Sequence, residues 1–125
     1  MQEDFRNLAT DVLASGSGAL SDFLFQRESA ANFPSPKKFC DAFAKFVAVE
    51  FARGELSFAD GALLMNRLLG FGAHSISGVA LEIFQAFDVG EYQRPAEAAG
   101  LVPWQAYTLP SIMALLRREG LWPCA

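Results

Sequence analysis

Residues 35 to 54 read SPKKFCDAFAKFVAVEFARG, and this stretch decides the fold class. Ser35 before Pro36 marks a helix start. The hydroxyl can cap a free backbone N–H, and proline sits where its missing N–H costs nothing. Phe39, Phe43, Phe46, Val47 and Phe51 then follow at helical spacing and line one stripe. Gly54 ends the helix.

The same grammar extends upstream. EDFRNLATDVLA, residues 3 to 14, places Phe5, Leu8, Ala9, Val12 and Leu13 on one face, and SGSG at 15 to 18 breaks that helix. ALSDFLFQRESAA, residues 19 to 31, offers Leu20, Phe23, Leu24 and Phe25 as a second, shorter helix, and NFPSP at 32 to 36 punctuates it.

Downstream, SFAD at 57 to 60 resembles a capping box with Asp in place of Glu. It opens a helix carrying Leu63, Leu64, Leu68, Leu69 and Phe71, closed by Gly70 and Gly72. Ser75 or Ser77 caps the next helix, with Val79, Ala80, Ile83, Phe84 and Phe87 inward and Gly90 at its end. QRPAEAAGLVPWQAY, residues 93 to 107, is rich in breakers and reads as a long connection, with one helical turn at PAEAA. A final helix starts at Pro110, turns Ile112, Leu115 and Leu116 inward, and stops at Gly120. No run alternates as strands do. The expectation is one all-α domain over residues 1–125, a compact bundle of five or six helices.

Composition agrees. The chain has 125 residues, 52% of them hydrophobic, with twelve Phe, which is ample material for one core. The net charge of −4 argues against nucleic acid, whose phosphates need clustered Lys and Arg. Lys37-Lys38 and Arg117-Arg118 are the only basic doublets, and each reads as a solvated helix turn. An acidic surface suits a basic protein partner, or simply solubility. Cys40 falls in an apolar pattern and reads as core, while Cys124 is next to last, so no disulfide framework is expected. MQEDFRNL lacks a secretory leader's pattern, and no apolar run reaches the ~18 residues of a membrane span. No membrane association is expected, and the reducing cytoplasm is the expected location.

Motifs for chemistry are sparse. His74 is the only histidine, whereas a metal site wants several ligands at defined spacing. GSG at 16 to 18 is too short for a phosphate loop. Carboxylates such as Asp60 and Glu55 could do acid–base work only in an apolar pocket. No catalytic residue, cofactor or metal is expected. Trp104, Tyr107 and Tyr92 lie in or beside the irregular segment, where they either pin it to the core or form an exposed anchor patch.

One pattern occurs twice. FARGEL at 51 to 56 and FDVGEY at 87 to 92 both run Phe-x-x-Gly-Glu and then a large apolar residue. Three readings are open: independent helix stops with a left-handed Gly, a duplicated helical hairpin, or a functional turn. The cluster of Asp88, Glu91 and Tyr92 around Gly90 suits an interface.

FVAVEFARGELSFADGALLMNRL, residues 46 to 68, together with EIFQAFDVGEY at 82 to 92, resembles the small acidic helical immunity proteins of bacteria, of the colicin D immunity kind. The resemblance covers under half of the chain. It implies a cytoplasmic binder that blocks a toxin's basic active site with an acidic face imitating phosphate. Glu55, Asp60, Asp88 and Glu91 are the positions that could do so, with Tyr92 beside them. The leading expectation is therefore a non-enzymatic protein-binding module. Two alternatives stand beside it: a regulatory or scaffold subunit acting by homodimerisation or an apolar groove, and a small enzyme using buried carboxylates.

Overall fold

The computed structural model describes residues 2–91 and 100–123. Six α-helices follow in order: α1 (Gln2–Ser15), α2 (Gly18–Asn32), α3 (Pro36–Ala52), α4 (Phe58–Gly72), α5 (Val79–Asp88) and α6 (Leu109–Arg118). There is no strand among the described residues. The expected all-α bundle is what the chain forms.

The central helix α3 starts and stops as its sequence dictates. Ser35 is extended, and its side chain accepts from the Lys38 N–H at 3.2 Å, with Pro36 at the first helical position. Phe39, Phe43, Val47 and Phe51 are buried, and the helix packs against α4, α5, α6 and α1. Ser57 caps α4 in the same way, accepting from the Asp60 N–H at 3.1 Å.

Aromatic rings sort the core into two clusters at opposite ends of α3. Phe39 and Phe43 join Phe5, Phe25, Phe33 and Phe71 around the first half of the helix. Phe51 joins Phe58, Phe87 and Trp104 at its far end. Because Phe58 opens α4 and Phe71 nearly closes it, α4 runs antiparallel to α3. Phe87, in the last turn of α5, shows that α5 runs parallel to α3. Close approach needs glycine here. A Cβ on Gly72 would lie 2.7 Å from Cys40 Sγ, and one on Gly61 would lie 2.6 Å from the Phe87 ring.

Several sequence expectations need correction. On α2 the buried side chains are Ser21, Leu24, Phe25 and Ser29, while Leu20 and Phe23 stay 46% and 60% exposed. Small serines let α2 lie close to its neighbours. The Ser21 hydroxyl donates to the Ser17 carbonyl at 2.9 Å and lies 3.1 Å from that of Ser15. Gly70 does not end α4, which continues to Gly72. Neither Ser75 nor Ser77 caps α5; Gly78, at φ 59°, holds that position without a side-chain cap. Phe84 is only partly buried, because α5 turns Ala80, Ile83 and Phe87 to the core and leaves Phe84 at the edge of that face.

The last helical body also starts earlier than Pro110. Trp104–Thr108 form a π-helical turn that runs directly into α6, with the Leu109 N–H bonded to the Trp104 carbonyl. A proline ring clashes with the carbonyl four residues back in a regular helix, and the wider turn relieves that crowding. The turn expected at PAEAA lies outside the described residues, as does Cys124.

Candidate functional site

The two Phe-x-x-Gly-Glu stretches meet in space. Phe51 and Phe87 have ring centroids 5.1 Å apart, edge to face. Phe58 stacks on Phe87 at 6.0 Å and on Trp104 at 6.0 Å, the latter pair only 12° from parallel. The cluster gathers the end of α3, the start of α4, the end of α5 and the π-helical turn at one pole of the bundle. Trp104 thus pins the connection to the core, as one of its two expected roles required.

Around this cluster stand the acids singled out in the sequence. Glu55 lies on the α3–α4 turn, Asp60 in the first turn of α4, Asp88 at the end of α5 and Glu91 just beyond it, all exposed. Tyr92 lies outside the described residues. The carboxylate Oε1 of Glu91 accepts from Asn66 Nδ2 at 3.3 Å, which ties the end of α5 to the flank of α4. Asp60 sits where a helix N-terminus favours negative charge. Glu55 and Asp88 instead lie by the C-termini of α3 and α5, where the helix dipole adds to the negative potential. A cation approaching this pole meets carboxylates and carbonyl ends together.

The two turns nevertheless differ in backbone. Gly54 takes φ 79°; its N–H bonds the Phe51 carbonyl at 3.1 Å, and the Glu55 N–H bonds the Glu50 carbonyl at 2.9 Å. That is the Schellman pattern, and Gly120 repeats it with φ 75° and Leu121 N–H on the Leu116 carbonyl at 2.8 Å. Gly90 is not left-handed, contrary to the helix-stop expectation. Its N–H reaches the Phe87 carbonyl at 3.1 Å, and the Glu91 N–H reaches only the Asp88 carbonyl at 3.3 Å. Gly90 is buried, and a Cβ there would run into Thr108 Oγ1 and lie 2.9 Å from Trp104 Cα. The same six-letter pattern serves two different purposes.

Sequence reasoning missed Glu50. It is only 5% exposed, and its Oε1 accepts from Arg6 Nη2 at 2.9 Å across to α1. The signal was available: an acid at position 50 continues the stripe of Phe43 and Val47. The remaining chemistry is quiet. Cys40 is fully buried, and desolvation, helped by the neighbouring Asp41 charge, pushes its thiol up to about 11. At neutral pH it stays protonated and a poor nucleophile. Glu82 and Arg118 form a two-pronged exposed pair at 2.6 and 3.0 Å, which holds the Glu82 carboxyl below its usual range. His74 is exposed just beyond α4. Among the described residues no group of three or more His, Cys, Asp or Glu could hold a metal ion, and no helix is long and apolar enough to cross a membrane.

No known family model matches the chain, and comparison with curated proteins and with solved structures yields no match.

Proposed function

We propose that this chain is a non-enzymatic protein-binding module, an immunity-type inhibitor that docks its acidic pole on the basic active site of a bacterial toxin in the cytoplasm. One observation carries the reading: Glu55, Asp60, Asp88 and Glu91, from distant parts of the sequence, surround one aromatic-cored pole and all remain exposed. Rings locked against one another hold the turns in place, so little ordering is required on binding. Opposite charge then speeds encounter and selects the partner.

The test is a reversal of charge. Asp88→Lys with Glu91→Lys should change stability by only about 0.5 kcal/mol, since both side chains are exposed. In a pull-down from the native host, wild type should retain a basic protein that the double variant loses. The difference in association rate should shrink as salt rises. Equal capture by both proteins would remove these acids from the interface and, with them, the proposal.

Self-association is the second reading, favoured by Leu20 and Phe23, neighbours on the outer face of α2 at 46% and 60% exposure. Sedimentation equilibrium of wild type against Phe23→Ser decides it: a dimer that the variant abolishes would support this reading, and a monomeric wild type would end it.

A further inference from the structure

A cleft of about 230 Å³ opens on the side of α3 that faces α1 and the segment after α6. Its walls are Phe5, Phe46, Val49 and Leu121, and its polar groups are Lys45, Glu50 and Arg53. Most of this lining comes from one stripe of α3. The helix therefore presents, in order along its axis, a cation, an apolar wall, a carboxylate and a second cation.

Glu50 is the unusual member. Its Oε2 is buried and has no hydrogen-bond partner; Arg53 Nη1 stands 3.8 Å away, beyond hydrogen-bond reach. A buried charged acceptor without a donor is uncommon and calls for a reason. The missing donor is not a further cation. Arg6 already bonds this carboxylate, Arg53 faces it, and Lys45 shares the cleft. A neutral O–H or N–H meets the demand without adding positive charge. Lys45 in turn is paired at long range, with Glu119 at 3.9 Å, which leaves room for its ammonium to take a closer anionic group.

We propose that this cleft binds a small amphipathic acid: a carboxylate on Lys45, an apolar ring or branched chain against Phe5, Phe46, Val49 and Leu121, and one neutral donor directed at Glu50 Oε2. Positions 45 and 50 are five residues apart, about 7.5 Å in rise along a helix axis and roughly 140° around it, so the acid spans the cleft between two edges of the α3 lining. The hydroxyl displaces the long Arg53 contact and makes the shorter bond that a charged acceptor favours. The proposal does not depend on the role of the acidic pole.

Three probes test it by methyl NMR titration, read at Val49 and Leu121. These are 4-hydroxyphenylacetate, phenylacetate without the hydroxyl, and tyramine with an ammonium in place of the carboxylate. The expected order is hydroxy acid tightest, then phenylacetate roughly tenfold weaker, the scale of one hydrogen bond to a charged group, with tyramine weakest. Lys45→Glu, a change at a side chain 38% exposed, should weaken both acids at least fivefold while leaving the far-ultraviolet dichroism unchanged. Tyramine binding tightest, equal binding of all three, acids unaffected by Lys45→Glu in the folded variant, or no methyl shift at millimolar probe would each overturn the proposal.

Discussion

The turn after Phe51 and the turn after Phe87 share the pattern Phe-x-x-Gly-Glu and obey different physics. At the first, glycine supplies a left-handed backbone: Gly54 has φ 79° and a Cβ there would meet nothing within 4 Å. At the second, glycine supplies emptiness. Gly90 keeps an ordinary φ, but Thr108, the Trp104 backbone and the Phe58 ring occupy the space of its absent side chain. A residue type at a helix end therefore does not reveal its reason. Conformation and close approach both select glycine, and only the neighbours from elsewhere in the chain separate them.

The largest break in this comparison should come from the ring the two turns share. Phe87→Ala removes a buried side chain that touches Phe51, Phe58 and the Gly61 backbone, and should cost about 3–5 kcal/mol in urea denaturation. A midpoint close to wild type would mean that the pole is not held by this cluster. Next comes Gly90→Ala, at about 2–3 kcal/mol, since the methyl meets backbone that cannot easily move. Thr108→Val keeps the volume but deletes the buried bond to the Ala86 carbonyl, 2.6 Å long, and should cost about 1–2 kcal/mol. Smallest is Gly54→Ala, about 1 kcal/mol of left-handed strain with no clash. Equal losses at Gly54 and Gly90 would erase the distinction drawn between the turns.

Caps and stripes were legible because they are local. Ser35, Pro36 and Ser57 announce their helices through groups within three residues, and the Phe stripe of α3 is decided by its own spacing. What failed was whatever depends on a neighbour. On α2 hydrophobicity points to Leu20, Phe23, Leu24 and Phe25; Leu24 and Phe25 are buried, while packing takes Ser21 and Ser29 in place of Leu20 and Phe23. Pro110 suggested a beginning because the π-helical turn that accommodates it has no signature of its own. The acids of the candidate pole were each readable as exposed, but their meeting was not. It follows from Phe51 packing on Phe87, a contact between residues 36 apart in the sequence. The place of Glu50 on the core stripe is legible in the sequence, but its partner Arg6, from α1, is a contact between residues 44 apart that only the fold reveals.

The two tryptophans lie near different proposed sites. Trp104 is part of the ring cluster beneath the acidic pole, and Trp122 follows Leu121, which lines the cleft. Both are half-buried, so their emission is sensitive to what covers them. Trp122→Phe leaves a single emitter that watches the pole, and Trp104→Phe leaves one that watches the cleft. The protein thus carries two separable optical channels, and a change of emission confined to one of them says where a ligand has landed before the ligand itself has been identified.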